Sequence, residues 1–399
     1  MIEKKIPHPF WSKNKKIINL FSIFKKCRLM FVGGVVRNAL INVNTFDIDM
    51  AIDITPKNVK KILNENKIKF FDFSKGHGTI TIPLNKYNIE ITSLRIDKIN
   101  FGRKAKVEFT NDFFMDSCRR DFTINAIYSD FKGELFNPQQ GIQDLDQKII
   151  KFIGNPQQRI KEDNLRVLRY FRFVAVYNSY EKQLDKNSYE SCIKNAKLIK
   201  NISKERINLE FCKLLVAKHT SFALLIMKKN KILDLIIEGL GNISLKNINI
   251  IDEVENSVIS RISFLFLNSD ISKKNLISDL RMKKKEVNFI VKICEKFNPI
   301  HGAAEAKKTK YRYGSQITIK KYMLFCTINK LKPKNNIINL INKWEAPKFP
   351  INGNDIRKII NANDKRIGLF YSKIENWWMD NNFKPSREQC LSKLRNIKL

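Results

Sequence analysis

Asp47 and Asp49 stand one residue apart behind a glycine pair and an arginine, in the run FVGGVVRNALINVNTFDIDMAID over residues 31–53. Acid-x-acid spacing in a strand turns both carboxylates to one face, a few ångströms apart. Two bare carboxylates that close repel each other unless a cation sits between them. Hard oxygen donors suit Mg²⁺, which takes one or two carboxylates and fills its other positions with water and phosphate oxygens. Gly33, Gly34 and Arg37 supply the complementary half. A glycine turn feeding a helix aims backbone N–H groups at an anion, and an arginine in the first turns adds a fork of donors. Taken singly, the acid pair reads as a solvated strand face and the glycine pair as a turn. Joined in this order, they predict metal-assisted chemistry on a phosphate.

The elements that must hold these residues are legible around them. Phe31 and Val32 read as the end of a short strand, Gly33-Gly34 as a tight turn, and Val35–Ile41 as a helix. After Asn44 the alternation predicts a strand with Ile48, Met50 and Ile52 on one face and Asp47, Asp49 and Asp53 on the other. Residues 1–25 read as a preceding helix. From about 30 to 140, glycine turns, β-rich runs and short helices alternate, which predicts a mixed α/β head. Residues 101–117 lack clear periodicity and read as a mobile loop between head strands, with Gly102 as a hinge. Beyond Gly154-Asn155-Pro156 the pattern turns helical, with residues 157–177 as one helix. Residues 180–300 read as amphipathic helices, 301–315 as a polar linker, and the remainder as helical again. The fold class is therefore α+β, a mixed head followed by an all-α arm. The segments expected are 1–147 as the mixed head, then 148–230 and 231–399 as two helical stretches of the arm.

Composition narrows the partners. The 399 residues carry a formal net charge of +35. Lys, Asn and Ile abound throughout, so part of the excess is compositional drift. Charge of that size still calls for a polyanion, with RNA foremost and an anionic membrane surface also suited. No long apolar run spans a bilayer, and the basic N-terminus does not read as a signal peptide, so a cytoplasmic protein with no membrane partner is expected. The seven cysteines are scattered singly with no C-x-x-C, which fits reduced thiols and argues against structural zinc. The Trp377-Trp378 pair reads as core of a helical tail. His77 reads as a turn histidine.

The signature at 31–53 resembles that of the polymerase β nucleotidyltransferase superfamily, and within it the class of bacterial CCA-adding enzymes and poly(A) polymerases, whose pattern is GG-x-V-R-(D/N) followed by D-x-D. HGTITI (77–82), IEITSLR (89–95), RRDFTINAIY (119–128) and RIKEDNLRVLRYFRF (159–173) resemble its later motifs in order, and the C-terminal FPINGNDI…NWWMDNNFKPSREQCLSKLR resembles its tail. Asn38 departs from the Asp of many relatives but lies outside the D-x-D pair. The resemblance implies a template-independent enzyme that adds CCA to tRNA from CTP and ATP and releases pyrophosphate, with Mg²⁺ on Asp47 and Asp49. It implies that Glu90, on spacing alone an ordinary edge-strand glutamate, completes the acid cluster. It implies that Arg120 and Asp121 hold the ribose 2′-hydroxyl, where the residues alone suggest a helix N-cap. It further implies that Asp163 and Arg166, three apart on one helix face, read the base, with Arg169 and Arg172 continuing the row. The residues alone suggest a Glu162–Arg166 salt bridge there. Poly(A), CC-only or A-only addition shares every motif. An RNA-binding protein without catalysis is the reading from a different class, and the intact D-x-D argues against it.

Overall fold

The turn after residue 32 is where the chain commits to its catalytic geometry. Apolar Leu29–Val32 forms β1, wholly buried, and Gly33 follows at φ 74°, a conformation costly for any residue with a Cβ. α2 (Gly34–Leu40) starts at once, after the preceding α1 (Lys15–Ile23) has packed Ile17 and Leu20 inward. β2 (Ile48–Ile52) follows, with Ile48, Met50 and Ile52 buried as the alternation requires. The computed structural model describes residues 5–7, 9–43, 47–73, 78–84, 88–98, 106–178, 180–296, 298–360 and 364–396.

A six-stranded sheet carries the head, in the order β3-β4-β2-β1-β7-β8, built with β3 (Thr79–Pro83), β4 (Asn88–Ser93), β7 (Tyr128–Ser129) and β8 (Leu135–Phe136). β1 pairs antiparallel with β2, whereas β2 pairs parallel with β4 in a register that sets Asp49 opposite Glu90. The crossover between them includes α3 (Pro56–Glu65), whose Val59 and Leu63 are buried. A separate hairpin, β5 (Arg95–Lys98) with β6 (Lys106–Phe109), leads into α4 (Phe113–Cys118). The expected loop over 101–117 is therefore corrected: 106–109 is strand and 113–118 helix. Its first residues, 101–105 with Gly102, lie outside the described residues, as does His77. DFTINAIY is not a helix either. It makes one 3₁₀ turn at Thr123–Asn125 and then enters β7.

After α5 (Gly141–Asp146) the chain is helical, with α6 (Pro156–Glu162), α7 (Arg166–Tyr177), α8 (Lys186–Lys194), α9 (Lys204–Leu215), α10 (Thr220–Lys229) and α11 (Leu233–Ile236). The single helix expected over 157–177 is two. Asp163 is extended (φ −147°, ψ 106°), and its side chain accepts from the Leu165 N–H at 3.1 Å. Asp and Asn compete for backbone donors in this way, so Asp163-Asn164 break a helix that the apolar spacing alone would continue. The sheet and these helices belong to one unit, 1–241 with 278–281.

The second unit, 242–277 with 282–399, is helical. It contains α12 (Leu245–Ile250), α13 (Val258–Leu267), most of α14 (Lys273–Ser278), α15 (Lys284–Cys294), α16 (Ala303–Ile328), α17 (Asn335–Lys343), α18 (Gly353–Ile360), α19 (Asp364–Asp380) and α20 (Arg387–Arg395). The linker expected at 301–315 is the first half of α16, bent at Gly314 (φ 78°). Its polar residues are engaged with the rest of the unit: Lys308 pairs with Asp380 at 2.7 Å, Tyr311 donates to Glu375 at 2.8 Å, and Arg312 donates to Asn376 at 2.6 Å. Polar composition hid an ordered helix because its partners lie far along the chain. Trp378 is buried in the tail core beside Ile374 and Phe370, as expected. Among the described residues no helix is long and apolar enough to cross a membrane.

Candidate active site

β2 and its neighbours bring three acids together. Asp47 is exposed just ahead of the strand, Asp49 is half-buried two residues on, and Glu90 faces Asp49 across the β2–β4 ladder. The alternation that buries Ile48 and Met50 turns the acids to the opposite face. Burial first, and then the negative charges of Glu90 and Asp47, push the Asp49 carboxyl up to about 6, against the opposing pull of Arg120 and Arg37. A carboxylate so placed gains from a divalent cation beside it, so the residues fit the metal their types suggested. Among the described residues no three His, Cys, Asp or Glu side chains are placed to hold an ion together. An ion here would rest on the Asp47–Asp49 pair and complete its shell with water and phosphate oxygen.

Guanidinium groups face these acids. An ideal Cβ built on Gly33 would lie 3.9 Å from Asp49 Oδ2, 3.9 Å from Arg120 Nη1 and 3.8 Å from the Asn125 carbonyl oxygen. Gly33 therefore forms the floor on which acid and base sides meet. Its own N–H donates to the Ile127 carbonyl at 3.3 Å, which leaves phosphate contact to later amides and to arginines. Arg37 reaches Asn125 and lies 5.0 Å over the Phe173 ring. Around a cavity of about 240 Å³ stand Gly33, Gly34, Arg37, Asp49, Arg120, Asp121, Asn125, Arg169, Arg172 and Phe173.

Each of these cations is fixed by a partner. Arg120 donates to Asp116 (3.0 and 3.2 Å) and to Tyr128 (3.1 Å). Burial opposes its charge, but Tyr128 and Asp116 outweigh that and raise its pKa. Asp121 is not a helix cap. It accepts from Arg169 Nε at 2.7 Å, from Asn125 Nδ2 at 2.9 Å and from the Phe122 N–H at 2.9 Å. Burial would raise its pKa, but Arg169 and the two hydrogen bonds hold it down at about 2. Arg172 pairs with buried Glu210 at 2.8 Å, yet burial and the nearby Arg169 and Arg37 charges depress it to about 10. An under-compensated guanidinium in this cavity favours an anion as its neighbour.

Asp163 and Arg166 are not brought into this cavity. Because the helix breaks at Asp163, the two do not share a helix face. Arg166 turns back to Glu162 at 2.8 Å and to the Arg159 carbonyl at 2.8 Å, so the Glu162–Arg166 pair its spacing allowed does form, but across the break from α7 to α6. Asp163 lines a second, polar cavity of about 330 Å³ with Asn164, Asn201, Ser203 and Arg206, and pairs with Arg206 at 2.8 Å. Sequence reasoning missed Arg206, Glu210, Asn125, Phe173 and Asp116. The signal available was the four-residue spacing of Arg206 and Glu210 in KERINLEFCKLL, which puts both on one face of α9.

The geometry meets known proteins at this point. Residues 29–151 match the family model described as the Poly A polymerase head domain, and residues 183–243 match that of the probable RNA and SrmB-binding site of polymerase A. The chain is 32% identical over 396 residues to the mitochondrial CCA tRNA nucleotidyltransferase 1 of Homo sapiens, covering 96% of this chain and 89% of that protein. It is 38% identical over 189 residues to a CCA-adding enzyme of Streptococcus gordonii, covering 47% and 46%. Its fold matches the crystal structure of the Bacillus stearothermophilus CCA-adding enzyme in complex with CTP, with a TM-score of 0.77, 20% identity and 97% coverage of both chains.

Proposed function

The chain belongs to the CCA-adding nucleotidyltransferases, and from that premise we propose that its head site transfers nucleotides from CTP and ATP to the 3′ end of tRNA. The tRNA 3′-oxygen attacks the α-phosphorus, the bond to the β-phosphate oxygen breaks in line, and pyrophosphate leaves. The observation that carries this reading is the meeting of Asp49 Oδ2 and Arg120 Nη1 over Gly33, an acid wall facing a guanidinium wall. That arrangement suits a triphosphate and its counter-ion.

Members of this family generally use a divalent metal; we infer Mg²⁺ on Asp47 and Asp49, because the donors are carboxylate oxygens. Such an ion supplies Lewis acidity at the α-phosphate and a lowered pKa at the attacking hydroxyl. The chain's own residues do the rest. Arg37 and Arg172 hold phosphate oxygens. Arg120 and Asp121, fixed by Asp116, Tyr128, Asn125 and Arg169, hold the ribose, so that a deoxy substrate leaves a buried partner unpaired. Glu90 sets the charge beside Asp49. Asp163 accepts from the exocyclic amine of C or A, and the carbonyl of U or G is repelled there. Arg166 supplies the second donor on this reading, after giving up Glu162. We assign 1–147 as head, 148–230 as neck and 231–399 as body and tail. A reducing cytoplasm suits the seven free thiols.

The test is addition to tRNA transcripts ending before C, CC or CCA, each supplied with labelled nucleotides. Growth to CCA and a stop is expected. Long oligo(A) on generic RNA with CTP ignored would make the chain a poly(A) polymerase instead.

A further inference from the structure

Phe73 is 78% exposed and Phe71 38%, in a head whose other large apolar side chains mostly point inward. Their rings stack at 5.3 Å between centroids and 17° between planes, and Lys69 Nζ lies 5.4 Å over Phe71. The sheet register fixes which way they face. Phe71 exchanges both backbone hydrogen bonds with Thr81 (2.8 and 2.9 Å), Thr81 is registered with Glu90 on β4, and Glu90 with Asp49 on β2. Directly paired residues project to the same side of a sheet. Phe71, Thr81, Glu90 and Asp49 therefore form one cross-strand row, and Phe73, two residues on, shares its face. Asp72 between them turns to the opposite side and pairs with Lys60 of α3, which confirms the assignment. At one strand spacing per step, Phe71 lies about 14 Å from Asp49 along the row.

We propose that Phe71 and Phe73 form a stacking subsite on the catalytic face of the head sheet for unpaired bases of the RNA strand being extended. Two exposed, stacked rings offer a π-face that any base can cover, and such platforms bind single strands without reading sequence. Nucleic acid is the occupant that the charge selects. The chain carries a net charge of +35, and Lys69, which lies over the Phe71 ring, sets a cation against the platform itself. The row ends at the carboxylate assigned to the reacting end, so a strand entering along it presents its 3′-hydroxyl to Asp49 while upstream bases lie on the rings. The inference rests on the RNA-extending function proposed above and adds a binding site to it.

The test compares two RNA hairpins, one blunt and one with an unpaired 3′ tail, in fluorescence anisotropy titrations at fixed salt. The full-length wild-type chain, Phe71→Ala/Phe73→Ala, Phe73→Leu and Phe73→Trp are measured. Loss of the platform is expected to weaken binding of the tailed hairpin by roughly 5- to 150-fold, the range for stacking one base. The blunt hairpin should be unaffected, and Phe73→Trp should keep wild-type affinity. Phe73→Leu removes only an exposed ring, so an unchanged melting temperature with weaker tail binding separates stacking from misfolding. Equal affinities for the tailed hairpin across all variants, or equal losses on both hairpins, would overturn the subsite. So would unchanged RNA binding with an altered sedimentation coefficient, which would mark a protein–protein surface. A wild-type chain that adds no nucleotide at all would instead count against the proposed function.

Discussion

Asp121→Asn is the sharpest perturbation of the site, because the carboxylate is buried and its partners are known. One oxygen accepts from Arg169 Nε at 2.7 Å, and the other from Asn125 Nδ2 and the Phe122 N–H at 2.9 Å each. These contacts outweigh burial and hold the group at about 2 instead of 3.8. At about 1.4 kcal/mol per pH unit, that difference stabilises the folded state by about 2 kcal/mol. Asparagine keeps the shape but not the charge, and its NH₂ must confront a donor on one side, which adds roughly 1 kcal/mol. The total expected loss is therefore about 3 kcal/mol. For a unit of this size that corresponds to a fall of roughly 6–12 °C in melting temperature. The sign with pH follows from a lowered carboxylate pKa. The stabilisation is complete above about pH 4 and disappears as pH falls through about 2, so wild type and variant converge at acid pH. Thermal and urea melts from pH 7 to pH 2 measure this. The same variant should also lose preference for CTP over dCTP in single-nucleotide addition. A variant within 0.5 kcal/mol of wild type at pH 7, or a stability gap that widens on acidification, would refute the reasoning that Asp121 is a charged keystone of the pocket.

Asp47→Ala and Asp49→Ala should each remove several kcal/mol of transition-state stabilisation, about a thousandfold in rate or more, while RNA affinity in a filter-binding titration stays near wild type. Substantial incorporation by either variant would remove the metal assignment. Asp163→Ala should let UTP and GTP compete, lowering selectivity by roughly 1–3 kcal/mol, if the magnitude for reading DNA bases carries over. Arg206→Ala, which frees Asp163 from its 2.8 Å partner, tests whether that pair fixes the carboxylate. Unaltered nucleotide ratios in both variants would leave Asp163 as a helix-breaking cap alone.

What the sequence alone determined is local. A buried strand, a glycine that must take positive φ, a helix and an acid-x-acid strand follow from short-range sterics and from side-chain alternation of period two, and β1, Gly33, α2 and β2 stand where that pattern put them. The change from mixed head to helical arm was legible for the same reason, since periodicity is a property of neighbours in the chain. Tertiary structure alone decided the pairings. Glu90 is Asp49's neighbour because β2 and β4 run parallel in one register, 41 residues apart, and no spacing rule encodes that number. Asp121 meets Arg169 across 48 residues, so a plausible helix cap became an ion pair. Asp163 leaves the helix because its carboxylate bonds to the Leu165 amide and to Arg206 on α9, a competition invisible to apolar spacing. Residues 303–315 look like linker by composition and are helix because Asp380, Glu375 and Asn376 await their polar side chains. Sequence specifies what each segment prefers by itself; partners distant along the chain settle which of those preferences survives once burial removes water as the alternative hydrogen-bonding partner.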